Sequence, residues 1–464
     1  MGVGILVLGV VAGGLVAWRS EAGRGDARAA GRALPRVETP LLSVRRAPTI
    51  VAAPVARRRL VADLDRLTGA LPADTCLAVS GPDVDFAHRA DAALRPASTL
   101  KLLTATAALD HLDPRSRFRT TVAAPSRPDG AGVVQGDLTL VGGGDPLLAT
   151  GDYVGHLRHQ PQVFTDLDAL ASAVVDAGVR RVTGGVVGDE GRYDQLRYVA
   201  GWPSRYIDQG SIGPLSALSV NDGFATYPTR DEPGRALAAA PQPAQEAAAV
   251  FTRLLRAHGV EVGGEARAGS LPFGAVELAG VESPPLVEVV GEMVRESDNN
   301  TAELLLKEIG RGEGSATTAG GAAVVAALGE QLGAGKVVDG SGLSLDDRLT
   351  CATLLAALVR ADTGDVLADL LPVAAESGTL TERFHGTALQ GVLRAKTGSL
   401  SSVSALAGFV DDDDPPLAFA LVVNAPASGF PSNVDDLEQQ IAEALARWPD
   451  IPDAADVGPR VDDG

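Results

Sequence analysis

The chain is short of the residue types that the commonest metal and cysteine sites require. Its 464 residues include only two cysteines and six histidines. Two cysteines alone cannot build a disulfide framework or a thiolate zinc cluster. The sequence also has no G-x-S-x-G elbow and no H-E-x-x-H helix. These two absences exclude the α/β-hydrolase type of serine nucleophile and the zincin type of peptidase.

Positive charge is scarce as well, and most of it is arginine. The net charge is −19 at pH 7, and of the 40 basic residues only four are lysines, the other 36 being arginines. A nucleic-acid partner is excluded, because binding phosphates requires a basic face. The chain is 45% hydrophobic and 21% charged, with 54 glycines and 29 prolines. These values exclude wholesale disorder and coiled-coil forms and suit a loop-rich α/β protein.

The amino-terminal part differs from the rest in composition. Residues 3–18 form an uncharged apolar run, so we predict a membrane segment or a signal over residues 1–18. Residues 19–59 carry ten arginines against three acidic residues and show no helical or strand period, which predicts a flexible basic linker. Taken alone, the positive-inside rule would keep the body in the cytoplasm, although a basic stretch missing upstream would reverse that orientation.

Beyond residue 60 the pattern predicts one α/β (α+β) domain with an insertion. A helix and a strand come first, a β-rich middle follows, and helices precede strands near residues 391–403, 405–410 and 416–423. We therefore predict a domain made of residues 60–118 and 288–448, interrupted by an inserted domain over residues 119–287. Four aspartates at 411–414 predict a solvated hairpin tip rather than a cation site. Residues 449–464 predict a disordered tail.

The first candidate site is Ser98-Thr99-Leu100-Lys101, at the start of a mostly apolar helix running to about Leu109. Serine needs an adjacent base to act as a nucleophile, and residues i and i+3 share one helix face. Lys101 could therefore bring its amine to the Ser98 hydroxyl. The alternative is an amphipathic helix whose lysine extends into solvent, because this pattern alone also arises by chance.

The second candidate is Lys396-Thr397-Gly398, followed by Ser399, near the start of the last strands. An edge strand that shows Lys and Thr outward, with Gly allowing close backbone approach, suits an extended peptide and its carboxylate. The Lys396 ammonium is also expected to lower the pKa of Lys101 by like-charge repulsion. Two of only four lysines thus lie where an S-x-x-K enzyme requires them.

An S-x-N element has two candidates. Ser297 and Asn299 lie at a predicted break between two helices, where side chains can point into a cleft. Ser219 and Asn221 follow the segment GPLSAL and lack that context, so we favour the first pair.

Two other pairs of residues carry weaker expectations. Cys76 and Cys351 are predicted to be ordinary buried thiols, with a disulfide between them as the alternative outside the cytoplasm. His156 and His159 are three residues apart, but the next histidine is His258, so we predict no metal site. No cofactor is predicted.

At this point the ordered motifs resemble a known family. The segments are PASTLKLLTATAAL, GDLTLVGGGDPLL, GWPSRY with ALSVND, RESDNNTAELLL, DGSGLSLDDRLT, SGTLTERF and GVLRAKTGSLSSVSALAGFV. Together they resemble the class C low-molecular-mass penicillin-binding proteins, the D-alanyl-D-alanine carboxypeptidase/endopeptidases of the cell wall. The resemblance covers about residues 60–448 and implies a penicillin-binding/serine β-lactamase-like domain, in which an antiparallel sheet is flanked by helices.

The resemblance also implies catalytic roles. Ser98 would be the acylated nucleophile and Lys101 its general base. Ser297 and Asn299 would relay protons and hold the substrate backbone.

For substrate binding, the resemblance implies that Lys396 and Thr397 hold the substrate carboxylate beside Gly398. The N–H groups of Ser98 and Ser399 would form the oxyanion hole. Ser399 departs from the family pattern, since many relatives have threonine there.

The implied activity is a serine D-alanyl-D-alanine carboxypeptidase acting on stem pentapeptides of peptidoglycan, inhibited by β-lactams, with DD-endopeptidase activity as a further reaction. That substrate lies outside the cytoplasmic membrane, so the body is expected outside, anchored or secreted, which overrides the charge rule. A β-lactamase and a non-catalytic wall-binding scaffold of the same fold are the alternatives. The oligomeric state is left open.

Overall fold

The computed structural model describes residues 48–160, 162–360, 363–410, 416–426 and 428–449. The predicted membrane segment or signal over residues 1–18, most of the predicted linker, the four aspartates at 411–414 and nearly all of the predicted tail lie outside these residues. Within them, no helix is both long enough and apolar enough to span a bilayer.

The helices are spread along the whole described chain. In chain order they are α1 (Pro48–Thr68), α2 (Leu100–His111), α3 (Gly151–Val154), α4 (Leu167–Asp176), α5 (Ser204–Asp208), α6 (Pro243–Ala257), α7 (Leu286–Glu296), α8 (Asn299–Gly312), α9 (Thr318–Leu332), α10 (Cys351–Leu358), α11 (Gly364–Leu370) and α12 (Val434–Ala446). Short 3₁₀ turns occupy Ala97–Thr99, Asn221–Gly223 and Gly378–Leu380.

The strands of the described residues run from Thr75 to Asn424. They are β1 (Thr75–Gly81), β2 (Val84–His88), β3 (Arg119–Ala124), β4 (Val133–Val134), β5 (Leu138–Val141), β6 (Leu148–Ala149), β7 (Thr165–Asp166), β8 (Arg181–Val182), β9 (Val186–Asp189), β10 (Phe224–Thr226), β11 (Ala238–Ala239), β12 (Glu261–Val262), β13 (Arg267–Ala268), β14 (Val276–Glu282), β15 (Gly335–Lys336), β16 (Arg348–Leu349), β17 (Leu393–Leu400), β18 (Val403–Val410) and β19 (Leu417–Asn424).

The principal sheet joins the two ends of the described chain. Its order is β17-β18-β19-β1-β2, and every neighbouring pair is antiparallel. Successive residues of a strand face opposite sides of a sheet. Accordingly, Leu406 of β18 packs into a core with helices α1 and α12, whereas Ala405 and Ala407 face a second core with α2, α7 and α10. The sheet is therefore covered by helices on both faces, and β17 forms one edge, with its first residues bridged to residues 372–374.

A second five-stranded sheet lies in the middle of the sequence. Its order is β13-β9-β5-β3-β14, and it mixes parallel and antiparallel pairs. Its buried residues, including Leu140, pack with Leu170 of α4 and Phe251 of α6 in a core of their own. The exact boundaries 60–118, 119–287 and 288–448 remain our prediction, although helix α7, which packs in the core of α2, already begins at Leu286.

Two expectations are wrong in this part of the structure. Helix α1 begins at Pro48, so the last twelve residues of the predicted linker are helical. The helix is held by Leu60, Leu64 and Leu67, whose i, i+4, i+7 spacing buries one stripe, while its arginines remain on the exposed face.

The second correction concerns the cysteines, which we expected to be thiols. Cys76 of β1 and Cys351, the first residue of α10, form a disulfide, with their Cα atoms 5.9 Å apart. The partners are 275 residues apart in the sequence. Their pairing is therefore a product of the chain path, which sequence spacing does not reveal.

Candidate active site

Ser98 lies in the tight turn that begins helix α2. Ala97 has a φ of +48°, in the left-handed region that a non-glycine residue adopts only where its surroundings hold it. The Thr99 hydroxyl closes the turn by donating to the Pro96 carbonyl at 2.7 Å. A Cβ atom on Gly398 would lie 2.9 Å from the same carbonyl oxygen. Glycine at 398 therefore lets edge strand β17 pass directly beside the Ser98 turn.

Lys101 lies one helical turn after Ser98 and is fully buried. Its Nζ donates to Ser98 Oγ at 3.0 Å, to Asn299 Oδ1 at 2.7 Å and to the Ser341 carbonyl at 2.8 Å. An ammonium group has three hydrogens, and these three acceptors take all of them. Burial lowers the pKa of Lys101 from 10.5 to about 8, although the carboxyl groups of Asp339, Asp298 and Glu303 oppose the change.

The break between α7 and α8 presents the S-x-N residues to this lysine. Ser297 ends α7 with a left-handed φ of +62°, and Asp298 caps α8 by accepting from the Thr301 N–H at 2.9 Å. Asn299 can therefore point inward, and its Nδ2 donates to the Ser211 carbonyl at 2.7 Å.

The competing pair lies elsewhere in the fold. Asn221 Oδ1 accepts from the Thr150 N–H at 2.8 Å, within the middle segment of the chain (residues 119–287), and Ser219 is buried. The structure thus brings Ser297 and Asn299, and not Ser219, to the two lysines.

Lys396 on strand β17 contacts the other member of the S-x-N pair. Its Nζ donates to Ser297 Oγ at 2.8 Å and to the Thr397 carbonyl at 2.9 Å. Burial, and then the like charge of Lys101, lower the pKa of Lys396 well below 10.5. The prediction that repulsion from Lys396 lowers the pKa of Lys101 is wrong, because burial is the cause that lowers it, and the like-charge effect acts on Lys396 instead. Ser399, two residues beyond Thr397, is exposed on the same strand.

The sequence did not single out several residues that shape the site. Ser341 contributes a carbonyl, which no side-chain pattern reveals. Glu303 holds that turn in place, since its Oε1 accepts from the N–H groups of Gly340 and Ser341 at 2.9 and 2.8 Å. The segment DGSG, which contains the turn, was visible in the sequence, but its function as a scaffold for Lys101 was not.

The middle segment of the chain also reaches the site. Asn300 Oδ1 accepts from the Gly213 N–H at 2.9 Å, next to the Ser211 carbonyl that holds Asn299. Trp202 Nε1 donates to the Asp339 carboxylate at 2.6 Å. The two parts of the chain therefore share one hydrogen-bonded framework around Lys101.

This arrangement can support acyl transfer through serine. A hydroxyl in contact with an amine whose pKa lies near the working pH can lose its proton to that amine.

Among the described residues, no group of three or more His, Cys, Asp or Glu side chains is arranged to hold a metal ion. His159, one of the two closely spaced histidines, contacts the Glu296 carboxylate instead, at 2.6 Å.

The known sequences that this chain resembles are those of carboxypeptidases. The chain matches the model of the D-Ala-D-Ala carboxypeptidase 3 (S13) family over residues 58–239 and 225–448. It is 31% identical to a D-alanyl-D-alanine carboxypeptidase from an Actinomadura species, over 93% of this chain and 92% of that protein. It is 36% identical to carboxypeptidase DacB of Mycolicibacterium smegmatis, over 71% of each chain.

Comparison with solved structures supports the fold. Penicillin binding protein 4 of Haemophilus influenzae superposes with a TM-score of 0.66 at 21% identity, covering 82% of this chain and 98% of that protein. The likeness confirms the predicted fold class, an antiparallel sheet flanked by helices with a β-rich insertion.

Proposed function

Since the chain belongs to the D-Ala-D-Ala carboxypeptidase 3 (S13) family, we propose that it is a serine D-alanyl-D-alanine carboxypeptidase acting on stem peptides of peptidoglycan. The observation that carries the proposal is the 3.0 Å contact between Ser98 Oγ and the buried amine of Lys101. That contact supplies both a nucleophile and a base without a metal or a cofactor. DD-endopeptidase activity is a second reaction of the same site.

In the first half of the reaction, the neutral amine of Lys101 takes the hydroxyl proton as Ser98 Oγ bonds to the carbonyl carbon of the penultimate D-Ala. The C–N bond to the terminal D-Ala then breaks, and its nitrogen takes up a proton from the site. The Ser297 hydroxyl, which accepts from Lys396, is suited to relaying that proton, and Asn299, which accepts from Lys101, is suited to holding the substrate backbone. An acyl ester on Ser98 remains.

In the second half, water adds to the ester carbonyl and gives its proton to the Lys101 amine. The ester bond to Ser98 breaks, Oγ regains a proton, and the shortened peptide leaves with a new carboxylate. We assign the oxyanion hole to the N–H groups of Ser98 and Ser399. The close approach that Gly398 allows between β17 and the Ser98 turn supports this assignment.

The terminal carboxylate of the substrate binds, in this proposal, at Lys396 and Thr397 on edge strand β17. An edge strand has unpaired backbone groups along which an extended peptide can align. A β-lactam would acylate Ser98 in the same orientation.

We further propose that the body works in the cell envelope, outside the cytoplasmic membrane, anchored or secreted through residues 1–18. The Cys76–Cys351 disulfide supports this location, since structural disulfides persist in oxidising compartments. The acidic body is not suited to nucleic acid.

Labelling with a fluorescent penicillin tests the proposal against its two alternatives. Wild type should retain a stable label that is lost in Ser98→Ala, and it should release D-Ala from a pentapeptide. Rapid loss of the label would indicate a β-lactamase. No label, together with no release of D-Ala, would indicate a non-catalytic scaffold. Incubation with cross-linked wall fragments would then show whether endopeptidase activity is present.

A further inference from the structure

We propose that Thr379 is a second hydroxyl group that binds the terminal carboxylate of the substrate, beside Thr397. The inference rests on the proposed function and deepens it by adding a residue to substrate recognition. Its starting observation is that Thr397 Oγ1 donates a hydrogen bond to Thr379 Oγ1 at 3.0 Å. The two hydroxyl groups therefore meet at edge strand β17, next to Lys396.

Thr379 is held rigidly enough to serve as a binding group. Its neighbour Gly378 has a φ of +52°, and a Cβ atom there would lie 2.2 Å from the Arg295 carbonyl oxygen. Its other neighbour, Leu380, is fully buried in the core beneath the sheet. The turn thus packs against the end of helix α7, which leads directly to Ser297, and Thr379 keeps a constant place relative to the site.

Thr397 alone does not offer a free hydrogen to the substrate carboxylate. A hydroxyl group has a single hydrogen to donate, and that of Thr397 is directed to Thr379. Over the described ranges of the chain, no acceptor is found for the hydrogen of the Thr379 hydroxyl. Both side chains are half-exposed. The pair therefore has one hydrogen to offer an incoming anion, and Thr379 carries it.

Thr379 can deliver this hydrogen in two ways. It can donate directly to the carboxylate, or it can donate to Thr397 Oγ1 and so release the Thr397 hydrogen for the carboxylate. Either arrangement requires an oxygen at the Thr379 side chain.

The buried lysine does not remove the need for such donors. Lys396 is fully buried, and two of its three hydrogens are taken by Ser297 Oγ and the Thr397 carbonyl. At most one hydrogen remains for a ligand, whereas a carboxylate offers about four acceptor positions. Neutral donors at the strand edge can supply further hydrogen bonds, and the hydroxyl groups of Thr379 and Thr397 meet there.

The experiment compares Thr379→Val with Thr379→Ser, which keeps the hydroxyl group. The substrates are a peptide ending in D-Ala-D-Ala with a free carboxylate and the same peptide with a terminal amide. For Thr379→Val we expect kcat/KM on the acid to fall about tenfold or more, as for a lost hydrogen bond to a charged group. Thr379→Ser should stay within about twofold, and the amide should change by less than about threefold in either variant.

Thr397→Val should show the same preference, and the double variant should lose less than the product of the two single losses, because both side chains act on one carboxylate. Equal losses on acid and amide, or an unchanged acid rate in Thr379→Val, would overturn the inference. The proposed function has its own readout: if wild type neither takes a penicillin label at Ser98 nor releases D-Ala, that proposal fails and this one fails with it.

Discussion

Lys101, the proposed general base, has surroundings that change its protonation. In water a lysine is almost wholly protonated at neutral pH and cannot act as a base. Here burial brings the pKa to about 8, so that about one tenth of the side chains are neutral at pH 7. The ammonium form donates to Ser98, Asn299 and Ser341, whereas the neutral amine has two hydrogens for Asn299 and Ser341 and a lone pair that can accept from the Ser98 hydroxyl.

Replacing Lys101 with arginine tests its role as a base. Arginine keeps the positive charge but cannot accept a proton, since its pKa lies above about 12. We expect labelling of Ser98 by a fluorescent penicillin to slow at least about 100-fold, the lower end of the range for a lost general base. Labelling within a few-fold of wild type would leave the base unassigned.

The control must separate chemistry from misfolding, because Lys101 is fully buried. Unfolding midpoints in urea should be compared for wild type and variant. Lys307→Arg is a matched control, since Lys307 is also buried and forms an ion pair with Asp194. It should label at close to the wild-type rate.

The pH dependence of acylation follows from the same pKa. In the proposed mechanism the neutral amine of Lys101 takes the Ser98 proton, and its neutral fraction grows as pH rises through about 8. The rate of penicillin labelling should therefore increase about tenfold per pH unit on the acid side and level off above that pKa. Thermal midpoints across the same range serve as the control. A rate that is flat between pH 6 and about 9 would contradict a titrating base.

At the scale of elements, the site is built from the start of one helix, the break between two others and one edge strand. The turn before α2 carries Ser98, the break between α7 and α8 carries Ser297 and Asn299, and edge strand β17 carries Lys396. A left-handed Ser297 and the Asp298 cap create the break, so the two helices change direction where the site needs side chains.

Asn300 tests whether the middle segment of the chain supports this break. Its side chain is buried, accepts from the Gly213 N–H at 2.9 Å and donates to the Asp222 carbonyl at 3.2 Å. Asn300→Ala leaves buried backbone groups unsatisfied, which should lower the free energy of unfolding by about 1–3 kcal/mol. It should also slow Ser98 labelling, because the loop that holds Asn299 through Ser211 loses its attachment.

The matched control is Asn433→Ala, which removes an exposed asparagine that makes no capping hydrogen bond at the start of α12. That variant should match wild type in both labelling rate and unfolding free energy. If Asn300→Ala also labels at the wild-type rate while losing stability, the loop does not position Asn299.

At the scale of the whole molecule, the active site depends on contacts between distant parts of the chain. The principal sheet pairs β1 with β19, so the two ends of the described chain share one core. The Cys76–Cys351 disulfide ties that sheet to helix α10. A disulfide between residues so far apart in the sequence restricts the unfolded chain more than the folded one.

Removing the disulfide should therefore cost stability while sparing the chemistry. For Cys76→Ala combined with Cys351→Ala, we expect the free energy of unfolding to fall by about 2–5 kcal/mol in urea titrations. Ser98 labelling at 25 °C should remain near wild type, since neither cysteine is among the hydrogen-bond partners of Lys101 and Lys396. A reductant should destabilise wild type and leave the double variant unchanged. Equal stability with and without reductant would show that the bond is not formed in solution.

The local features of the site were predictable because they depend on short spacing. Ser98 and Lys101 meet because residues i and i+3 share a helix face, and Gly398 signals close backbone approach. The apolar runs predicted strands over residues 391–403, 405–410 and 416–423, and the structure has β17, β18 and β19 there, with differences of one or two residues at most ends. The first predicted strand ran too far, because Ser401 and Ser402 form the turn between β17 and β18.

What only the tertiary structure decided are the relations between residues far apart in the sequence. The Cys76–Cys351 bond, the Ser341 carbonyl on Lys101 and the hydroxyl pair of Thr379 and Thr397 belong to this class. So does the lowered pKa of Lys101, because burial depends on the whole fold around the side chain. Sequence by itself determined which chemical groups exist and how each helix and strand orients them locally. The distances and the exclusion of water that make those groups reactive arise only when the elements pack.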